Sequence, residues 1–375
     1  MREFDIAIIG AGIAGASLAY RLASERSVLL LERESQPGYH TTGRSAAMFM
    51  ESYGPPATRA LTRASRAFYE QPPSGFGDAP LLAPRGVLYL ATHGQEALLQ
   101  ETQRTLAESG CELESVDADA ALARVGCLRP EVVHGALFEP GAQDIDVHAL
   151  HQGFLRGMRG GGGELRTGAH VIAAQRDGAR WVLQLADGEA VHAHTVVDAA
   201  GAWVDEVALL FGAAPIGLVP HRRSAFTFKA PEGMDVSGWP AVVGVDESYY
   251  FKPDAGQLLG SPANADPTVP HDVVPEELDI ALGIHQIEAV TTLTIRRPAS
   301  TWAGLRSFVR DGEMVIGWDE QCPGFFWLAG QGGYGIQSAA GASELAASLL
   351  CGRPLPPELA RHGVDVRVLA PQRLR

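Results

Sequence analysis

The sequence predicts an α/β domain with a parallel sheet, joined to an α+β domain that contains an antiparallel sheet. Two strand–glycine–helix units, one near each end of the chain, predict the parallel sheet. Segments of alternating polar and apolar residues between them predict antiparallel strands. Because parallel-sheet character returns at the C-terminal end, we expect a discontinuous two-domain chain.

The bulk composition of the 375 residues is that of an ordinary globular protein, with 46% hydrophobic and 20% charged residues. A formal net charge of −14 disfavours binding to nucleic acid or to an anionic membrane surface, since both require clustered Lys and Arg. No apolar run reaches the roughly 18 residues of a membrane helix, so no integral membrane segment is expected. The N-terminus lacks the features of a signal peptide, and we expect a cytoplasmic protein.

Neither the cysteines nor the histidines predict a metal site. The cysteines lie far apart and form no Cys-x-x-Cys pair, at Cys111, Cys127, Cys322 and Cys351. Two histidine pairs share a helix face or a strand face, at His148 with His151 and at His192 with His194. Because neither pair has a plausible third ligand nearby, we interpret them as solvated surface and predict no bound metal.

The N-terminal glycine cluster has the spacing G-x-G-x-x-G, at Gly10, Gly12 and Gly15. It follows an apolar strand at Phe4–Ile9 and precedes an Ala- and Leu-rich helix at 13–23. In such a turn the first glycine allows the tight bend, the second lets backbone approach a pyrophosphate, and the third lets the helix pack closely on the strand. The N–H groups and the positive dipole of the helix start favour phosphate.

An acidic residue follows at the position that a dinucleotide requires. A second apolar strand, Val28–Leu31, ends in Glu32, about twenty residues after the glycines, where a carboxylate binds ribose hydroxyls. A glycine triplet alone often marks only a tight turn. Strand, triplet, helix, strand and acid together predict dinucleotide binding.

The middle of the chain alternates helical and strand patterns. A helix is expected within Thr92–Glu108 and another at Asp146–Arg159, which the run Gly160–Gly163 ends. Asp187-Gly188 is typical of a hairpin turn. Strands of the antiparallel sheet are expected at "RRSAFTF", "SYYFKPD" and Thr291–Arg296.

The second glycine cluster, "AGQGGYGIQ", follows the apolar strand "FFWLAG" and runs into a helix expected at Gly335–Leu350. A nicotinamide dinucleotide leaves this unit unexplained, because one nucleotide-binding turn serves that cofactor. FAD explains both clusters: the first holds the pyrophosphate, and the second helix aims its positive N-terminus at the flavin, where it stabilises the anionic reduced ring.

Many segments together resemble the FAD-dependent amine oxidoreductases that include D-amino acid oxidase, glycine oxidase and sarcosine oxidase. They include "GAGIAGAS", "LERESQPGYH", "TGRSAA", "DIDVHALHQG", "RRSAF", "LLGSPANADP", "TWAGLRSF" and "QGGYGIQ". Within that family the likeness is greatest to bacterial D-arginine dehydrogenase. The resemblance implies a Rossmann-like FAD-binding domain (1–50, 145–215 and 300–375) and a substrate domain with an antiparallel sheet (51–144 and 216–299).

The same resemblance implies which residues bind FAD. The glycine loop and the adenosine end comprise Gly10, Gly12, Ile13, Ala14, Gly15, Glu32, Arg33, Val171, Ala200, Gly201 and Trp203. The flavin end comprises Thr42, Arg44, Ser45, Ala46, Ala47, Gly304, Arg306, Gly332, Gly333, Tyr334, Gly335, Ile336 and Gln337. Sarcosine oxidases of the family carry a cysteine after the "LR" segment for covalent attachment, and this chain has Ser307 there, so non-covalent FAD is expected.

The reaction implied is hydride transfer from the substrate Cα to flavin N5, followed by hydrolysis of the imine to a 2-oxo acid and ammonia. Arg223 and Arg306 are the candidates for binding the substrate carboxylate, with Tyr53 and Tyr250 as hydroxyl partners. Arg222 and Arg223 point to opposite faces of a strand, so only one enters the pocket, and the resemblance selects Arg223.

The predicted substrate pocket is apolar. Where the arginine-preferring enzyme has a carboxylate this chain has Val87, and where it has a His and a Thr this chain has Met48 and Met50. Ala241 and Val243 line the same side, with Gly333 and Gln337 at the ring. A wall of this kind provides no partner for a buried cation, so we expect apolar D-amino acids to be preferred over D-Arg and D-Lys.

Three other questions stay open at this level. Loss of the His leaves substrate deprotonation to solvent, assisted by Tyr53 or Tyr250. The electron acceptor is oxygen, a quinone or another carrier. The alternatives to a D-amino acid dehydrogenase or oxidase are an enzyme for secondary amines such as sarcosine or proline and, from another class, an FAD-holding subunit without turnover.

Overall fold

Two large β-sheets organise the chain in a computed structural model that describes residues 3–108 and 110–375. The strands are β1 (Glu3–Ile9), β2 (Val28–Leu31), β3 (Met48–Phe49), β4 (Leu82–Pro84), β5 (Val87–Thr92), β6 (Glu114–Asp117), β7 (Val133–Glu139), β8 (Gln143–Ile145), β9 (Glu164–Arg166), β10 (Val171–Asp177), β11 (Arg180–Leu185), β12 (Ala190–Asp198), β13 (Val219–Phe228), β14 (Ala241–Gly244), β15 (Tyr250–Asp254), β16 (Gln257–Ser261), β17 (Asp266–Pro267), β18 (Ser300–Phe308), β19 (Val315–Trp318) and β20 (Phe325–Ala329). The helices are α1 (Ile13–Leu22), α2 (Pro56–Glu70), α3 (Glu96–Glu108), α4 (Ala118–Arg124), α5 (Val147–Gly160), α6 (Val204–Leu210), α7 (Glu277–Val290), α8 (Ala339–Leu350), α9 (Pro357–Arg361) and α10 (Val366–Leu369).

The first sheet has the order β10-β11-β12-β1-β2-β9, with β20 beside the C-terminal half of β12 and β19 beyond it. Strands β20, β12, β1, β2 and β9 are parallel, and the hairpin partners β10, β11 and β19 are antiparallel. Parallel strands end at one common edge, so the loops after β1, β2, β12 and β20 lie side by side. Both glycine clusters are therefore on the same edge of one sheet.

Helices cover both faces of the first sheet at its centre, so β2 and β20 are buried, whereas β10 at one edge is largely exposed. Helix α1 packs between α5 and α8 on one face, and α6 lies on the other. The four residues of β2 are buried throughout, as expected for a parallel strand with helices on both sides.

The second sheet has the order β17-β13-β16-β15-β14-β5-β7-β6, and β18 pairs with the other side of β13. Every pairing is antiparallel except that of β14 with β5. Helix α7 packs against β13 and β16 around a core that contains Phe226, Phe251 and Ile287. A small third sheet has the order β3-β8-β4.

Two of the predicted elements are wrong in position or type. Thr291–Arg296 is not a strand: the Thr291 hydroxyl bonds the carbonyl of Ile287, and the Ile295 N–H donates to Glu288, so the segment is folded back onto the end of α7. The C-terminal helix begins at Ala339 rather than Gly335, because Gly332–Ser338 forms a series of turns first.

The two-domain α/β architecture with mixed sheets is confirmed, while the exact domain limits remain a proposal. Those limits separate hydrogen-bonded strands in two places. Strand β18 begins at residue 300 and yet pairs with β13, and β3 pairs with Gln143 and Asp144 across the limit at residue 144. No helix in the described ranges is long and apolar enough to cross a bilayer.

Candidate active site

The N-terminal turn requires its glycines for steric reasons. Gly10 has φ of +101°, and a Cβ there would lie 2.4 Å from the carbonyl oxygen of Ala199 in the adjacent loop after β12. A Cβ on Gly15 would lie 1.9 Å from the carbonyl oxygen of Gly10. Helix α1 and the loops after β1 and β12 are therefore packed so closely that only glycine fits at positions 10 and 15.

The start of α1 is prepared for an anion. Gly12 stands at its N-cap without a side-chain hydrogen bond, and no acidic residue occupies the first turn. Glu32 accepts the N–H of Ala11 at 2.9 Å, and Thr42 accepts that of Ile13 at 3.0 Å. The remaining N–H groups of the first turn have no intrahelical acceptor, so this end of the groove fits the pyrophosphate of a dinucleotide.

The far end of the groove fits an adenosine. The two carboxylate oxygens of Glu32 accept the N–H groups of Ala11 and Glu34, which fixes the carboxylate at the wall and leaves lone pairs for ribose hydroxyls. The guanidinium of Arg33 lies 4.1 Å from the ring centre of Trp203, and both residues line the same cavity. This stacked pair forms one side of a slot between the loops after β2 and β12.

One continuous groove connects this slot with the second glycine cluster and the second sheet, because three adjoining cavities share lining residues. The predicted cofactor residues along it are Gly10, Gly12, Ile13, Ala14, Glu32, Arg33, Thr42, Arg44, Ser45, Ala46, Ala47, Val171, Ala200, Gly201, Trp203, Gly304, Arg306, Gly332, Gly333, Gly335, Ile336 and Gln337. Gly15 and Tyr334 are not on the lining: Gly15 packs against Gly10, and the Tyr334 ring packs on Tyr53 at 4.9 Å. A groove of this length fits the extended cofactor that explained both glycine clusters.

The loop after β20 brings backbone rather than side chains to the groove. A Cβ on Gly333 would lie 3.0 Å from Arg306 Nη1 and 3.1 Å from the Tyr53 hydroxyl. The turns before α8 line the groove and stand between it and the first residue of α8, Ala339, while the direction of the helix end toward the flavin stays a prediction. Across from them Arg44 is fixed by Asp272 at 2.5 Å and by the carbonyl of Val273 at 3.0 Å.

Two arginines from neighbouring strands enter the groove on the same side. Arg223 lies opposite Gly304 in the β13–β18 pairing, and Arg306 lies two residues further along β18, so both side chains leave the same face of the sheet. Arg222 leaves the other face, where its guanidinium pairs with Asp279 at 2.9 Å and with Glu276. Because of strand alternation, Arg222 forms structural ion pairs on one face of the sheet and Arg223 lines the cavity on the other.

Arg223 and Arg306 carry unbalanced positive charge. Among the described residues no carboxylate forms an ion pair with either guanidinium, and the buried Nε of Arg223 has no hydrogen-bond partner. Burial, together with the charge of Arg306, lowers the pKa of Arg223 to about 10. Burial also acts to lower the pKa of Arg306, but Tyr53, Tyr250 and Tyr334 around it outweigh this effect and raise that pKa. The pair is a ready site for an anion.

The loop Met50–Tyr53 is held against the C-terminal turns by one amide. Gln337 Nε2 donates to the carbonyls of Met50 and Tyr53, each at 3.2 Å, and to the Thr62 hydroxyl at 3.1 Å. Although Gln337 lines the cavity, its polar atoms are occupied by this loop. Its role in the structure is to position Tyr53 and Met50.

The walls of the cavity beyond the arginines are largely apolar. Met48, Met50, Ala241 and Val243 line it, whereas Val87 is fully buried and does not. The sequence reasoning missed four lining residues, at Tyr89, Glu247, Lys252 and Ala263. Tyr89 was accessible to that reasoning, since it lies two residues after Val87 on the same strand face.

Two charged residues that line the cavity, Lys252 and Glu247, differ in their burial and in their pairing. Lys252 is 4% exposed and bonds Asp144 at 2.7 Å, so its charge is neutralised inside the protein. Glu247 is exposed, has φ of +56° and forms no ion pair with any described residue. The expectation that no carboxylate lines the substrate cavity is therefore wrong, because the backbone turn between β14 and β15 brings Glu247 there.

The structure changes the interpretation of His151 and reveals a group of side chains with the spacing of metal ligands. His151 is buried rather than solvated, and its Nε2 lies 2.9 Å from the carbonyl oxygen of Ala11, so it supports the glycine loop from behind. A separate group of three side chains with the spacing of metal ligands, His93, Glu96 and His134, lies outside the groove.

Comparison with known protein families agrees with the interpretation of the groove as a cofactor site. The model of the DAO family, the FAD dependent oxidoreductases, matches residues 5–349. The chain belongs to this family. Its cofactor is FAD, and the long groove between the two sheets is where the residues described above would hold it.

Three of the proteins that resemble this chain are each distant from it in sequence. L-2-hydroxyglutarate dehydrogenase of Escherichia coli is 25% identical over 244 residues, which covers 61% of this chain and 55% of that enzyme, so the match spans just over half of the relative. The crystal structure of glycine oxidase from Geobacillus kaustophilus superposes with a TM-score of 0.84 at 21% identity, over 97% of this chain and 99% of that one. L-proline dehydrogenase from P. horikoshii also gives 0.84, at 20% identity, over 99% and 98%. At these identities the two structures show the fold.

Proposed function

We propose that the protein catalyses FAD-dependent oxidative deamination of D-amino acids and prefers those with apolar side chains. FAD, when bound, would supply the acceptor for a hydride from the substrate Cα, and the imine so formed would hydrolyse to a 2-oxo acid and ammonia. The D hand and the likeness to D-arginine dehydrogenase are taken from the matched sequence segments. The electron acceptor is one of oxygen, a quinone or another carrier.

One observation supports this proposal most: Arg223 and Arg306 face the same part of the groove without a carboxylate partner in the described ranges. Two uncompensated guanidiniums at one place are costly in the free protein and are stabilised by a bound carboxylate. The Tyr53 and Tyr250 rings line the same cavity. An α-amino acid bound there would have its carboxylate fixed beside the loop Gly332–Gly335, which lines the flavin end.

The side-chain preference rests on the cavity wall. Met48, Met50, Ala241 and Val243 offer apolar contacts to a Leu-, Met- or Phe-sized group, and methionines adapt to several shapes. Glu247 offers a carboxylate only at the exposed rim, where an ion pair contributes about 1 kcal/mol or less. Apolar burial of a Leu-sized group contributes about 2 kcal/mol, so the wall decides the preference.

The test is anaerobic reduction of the flavin by each substrate, monitored as the loss of the flavin's visible absorbance. The panel contains D-Leu, D-Met, D-Phe and D-Arg, their L forms, sarcosine and proline. We expect fast bleaching by the apolar D-amino acids, and a kcat/KM for D-Leu or D-Phe above that for D-Arg. A ratio below one would reject the apolar pocket. Bleaching by no primary amine would reject the deamination.

A secondary amine is the second candidate, and the cavity wall favours it too. Met48 and Met50 lie beside the arginines and are equally suited to enclose an N-alkyl group or an imino ring. The L-proline dehydrogenase structure shares the fold over nearly its whole length. Faster bleaching by sarcosine or proline than by any primary amine in the panel would select this candidate.

A further inference from the structure

A chain of hydrogen bonds leads from the wall of the substrate cavity to a buried carboxyl group. The hydroxyl of Tyr89, which lines the cavity, lies 2.6 Å from Ser52 Oγ. Ser52 Oγ in turn donates a short hydrogen bond to Glu139 Oε2. Tyr89 is 8% exposed, Ser52 4% and Glu139 3%, so the chain is shielded from solvent along its length.

The ionised form of Glu139 fixes the direction of every bond in this chain. A carboxylate only accepts, and its other oxygen is occupied by the Glu51 N–H at 3.0 Å. The one hydroxyl hydrogen of Ser52 is directed to Glu139, so the Tyr89 hydroxyl must donate to Ser52. The lone pairs of the Tyr89 oxygen are then left free to accept a proton at the cavity end.

The proposed reaction needs such an acceptor. An α-amino acid arrives with an ammonium group, and a hydride leaves its Cα readily only after the nitrogen has lost a proton. No His lines the substrate cavity in the described ranges. Lys252 donates a hydrogen bond of 2.7 Å to Asp144, and Glu247 is exposed to solvent. The Tyr89 hydroxyl is the cavity's link to a shielded base.

We propose that Tyr89, Ser52 and Glu139 form a proton relay that deprotonates the substrate ammonium. This inference rests on the proposed amine oxidation. The ammonium gives a proton to the Tyr89 oxygen, the Tyr89 hydrogen moves to Ser52 Oγ, and the Ser52 hydrogen moves to Glu139. The net result is a neutral amine and a Glu139 carboxylic acid, with both hydroxyls restored. After the product leaves, the proton passes by the same path to water that enters the cavity, which restores the ionised Glu139.

The electrostatic surroundings suit these roles. Burial raises the pKa of Glu139, opposed by its hydrogen bonds and aided by the charge of Glu51, so Glu139 is a stronger proton acceptor than an exposed glutamate. Burial also raises the pKa of Tyr89 well above its ordinary value, so Tyr89 passes a proton on rather than remaining as an anion. The charged and titratable groups around the chain are Glu51 with its partner Arg66, and Tyr53 and Glu247 near Tyr89.

The experiment measures the rate of anaerobic flavin reduction by stopped flow, from about pH 6 to about pH 10, with a D-amino acid that reduces the wild-type flavin. We expect Glu139→Gln to lower this rate about 100-fold near neutral pH. The loss should shrink as pH rises, because neutral amine then enters from solvent. Tyr89→Phe should give the same pH signature, and the double variant should be no slower than the slower single variant.

A structural role for Glu139 gives different results. Its carboxylate also holds the loop that carries Tyr53, and displacement of that loop would lower the rate equally at every pH and weaken binding of a carboxylic acid that lacks an amine. We expect the affinity for such an acid to change less than threefold in both variants. Glu313→Gln is the matched control: Glu313 is 6% exposed, accepts the N–H groups of Ala57 and Thr58, and lies outside the cavity.

Two results would overturn the relay alone: a loss of rate that is the same at every pH, or a Tyr89→Phe enzyme with the wild-type pH profile. A wild-type flavin that no amine reduces would overturn the proposed function as well. The two failures are therefore distinguished by the wild-type enzyme before any variant is compared.

Discussion

Arg306 Nη1 donates a hydrogen bond of 2.8 Å to the hydroxyl of Tyr53, which is 253 residues earlier in the chain. The bond joins β18 of the second sheet to the loop after β3. It orients the guanidinium along the groove and leaves its other N–H groups for a ligand. Among the described residues, the Tyr53 hydroxyl is the side-chain group that holds this guanidinium by a hydrogen bond.

Tyr53→Phe should reduce kcat/KM about tenfold or more, since a hydrogen bond to a charged group contributes about 1.5–3 kcal/mol. The loss should appear mainly as weaker binding of the substrate carboxylate, measured as KM and as the Kd of an amine-free carboxylic acid. Tyr20→Phe is the control and should leave both constants unchanged, because Tyr20 lies on α1 and packs against Phe76 and Phe154. Equal constants for Tyr53→Phe and wild type would show that Arg306 needs no orienting partner.

The lowered pKa of Arg223 predicts a pH limit for anion binding. Below about pH 10 the guanidinium is charged and binds a carboxylate; above it the charge and the affinity are lost. A bound carboxylate raises this pKa, so the complex should titrate at higher pH than the free protein. Titration of the flavin spectrum with an amine-free carboxylic acid, from about pH 7 to about pH 11, checks this. An affinity that stays constant across that range in wild type would contradict it, and Arg223→Met should bind weakly throughout.

Gly10→Ala should abolish FAD binding. The backbone at φ of +101° costs a Cβ-bearing residue about 1–3 kcal/mol, and the overlap with Ala199 must also be relieved by moving the loop that lines the groove. The measurement is the ratio of flavin to protein absorbance after purification, with the midpoint of thermal unfolding. Gly160→Ala, which meets nothing within 4 Å, is the control and should retain FAD. A fully loaded Gly10→Ala protein would disprove the close contact.

Glu247→Gln should lower activity toward cationic substrates and leave activity toward apolar substrates nearly unchanged. Activity toward D-Leu should stay within about twofold, while any activity toward D-Arg or D-Lys should fall about threefold, because an exposed ion pair contributes less than about 1 kcal/mol. The comparison is kcat/KM for the three substrates, with exposed Glu232→Gln as a control of equal charge change. An equal loss for D-Leu and D-Arg would show that Glu247 acts on the arginines rather than on the substrate side chain.

Local chemistry explains why the cofactor loops were predictable from sequence. Gly10 and Gly12 lie between a strand and a helix in the chain, and Glu32 follows the next strand. Their spacing alone therefore predicts the dinucleotide-binding turn. The opposite orientations of Arg222 and Arg223 follow from strand alternation alone. Family membership and FAD were accordingly correct.

What the sequence did not reveal depends on contacts between distant segments. Glu247 reaches the cavity through a positive-φ turn, and Tyr89 joins Ser52 and Glu139 from a different part of the chain. Thr291–Arg296 has the alternation of a strand, yet its polar groups bond α7 and the chain near Cys127 instead. No local pattern encodes these partners, because their neighbours are set by tertiary packing.

The hydrogen bonds from Gln337 to Met50 have a consequence for biosynthesis. The two residues are 287 positions apart, which at about 5–20 residues per second separates their synthesis by tens of seconds. During that interval the nascent chain has its N-terminal glycine turn but lacks β20 and the turns that complete the flavin end. Completion of the FAD site therefore requires synthesis of the chain as far as Gln337, the last residue that lines the groove.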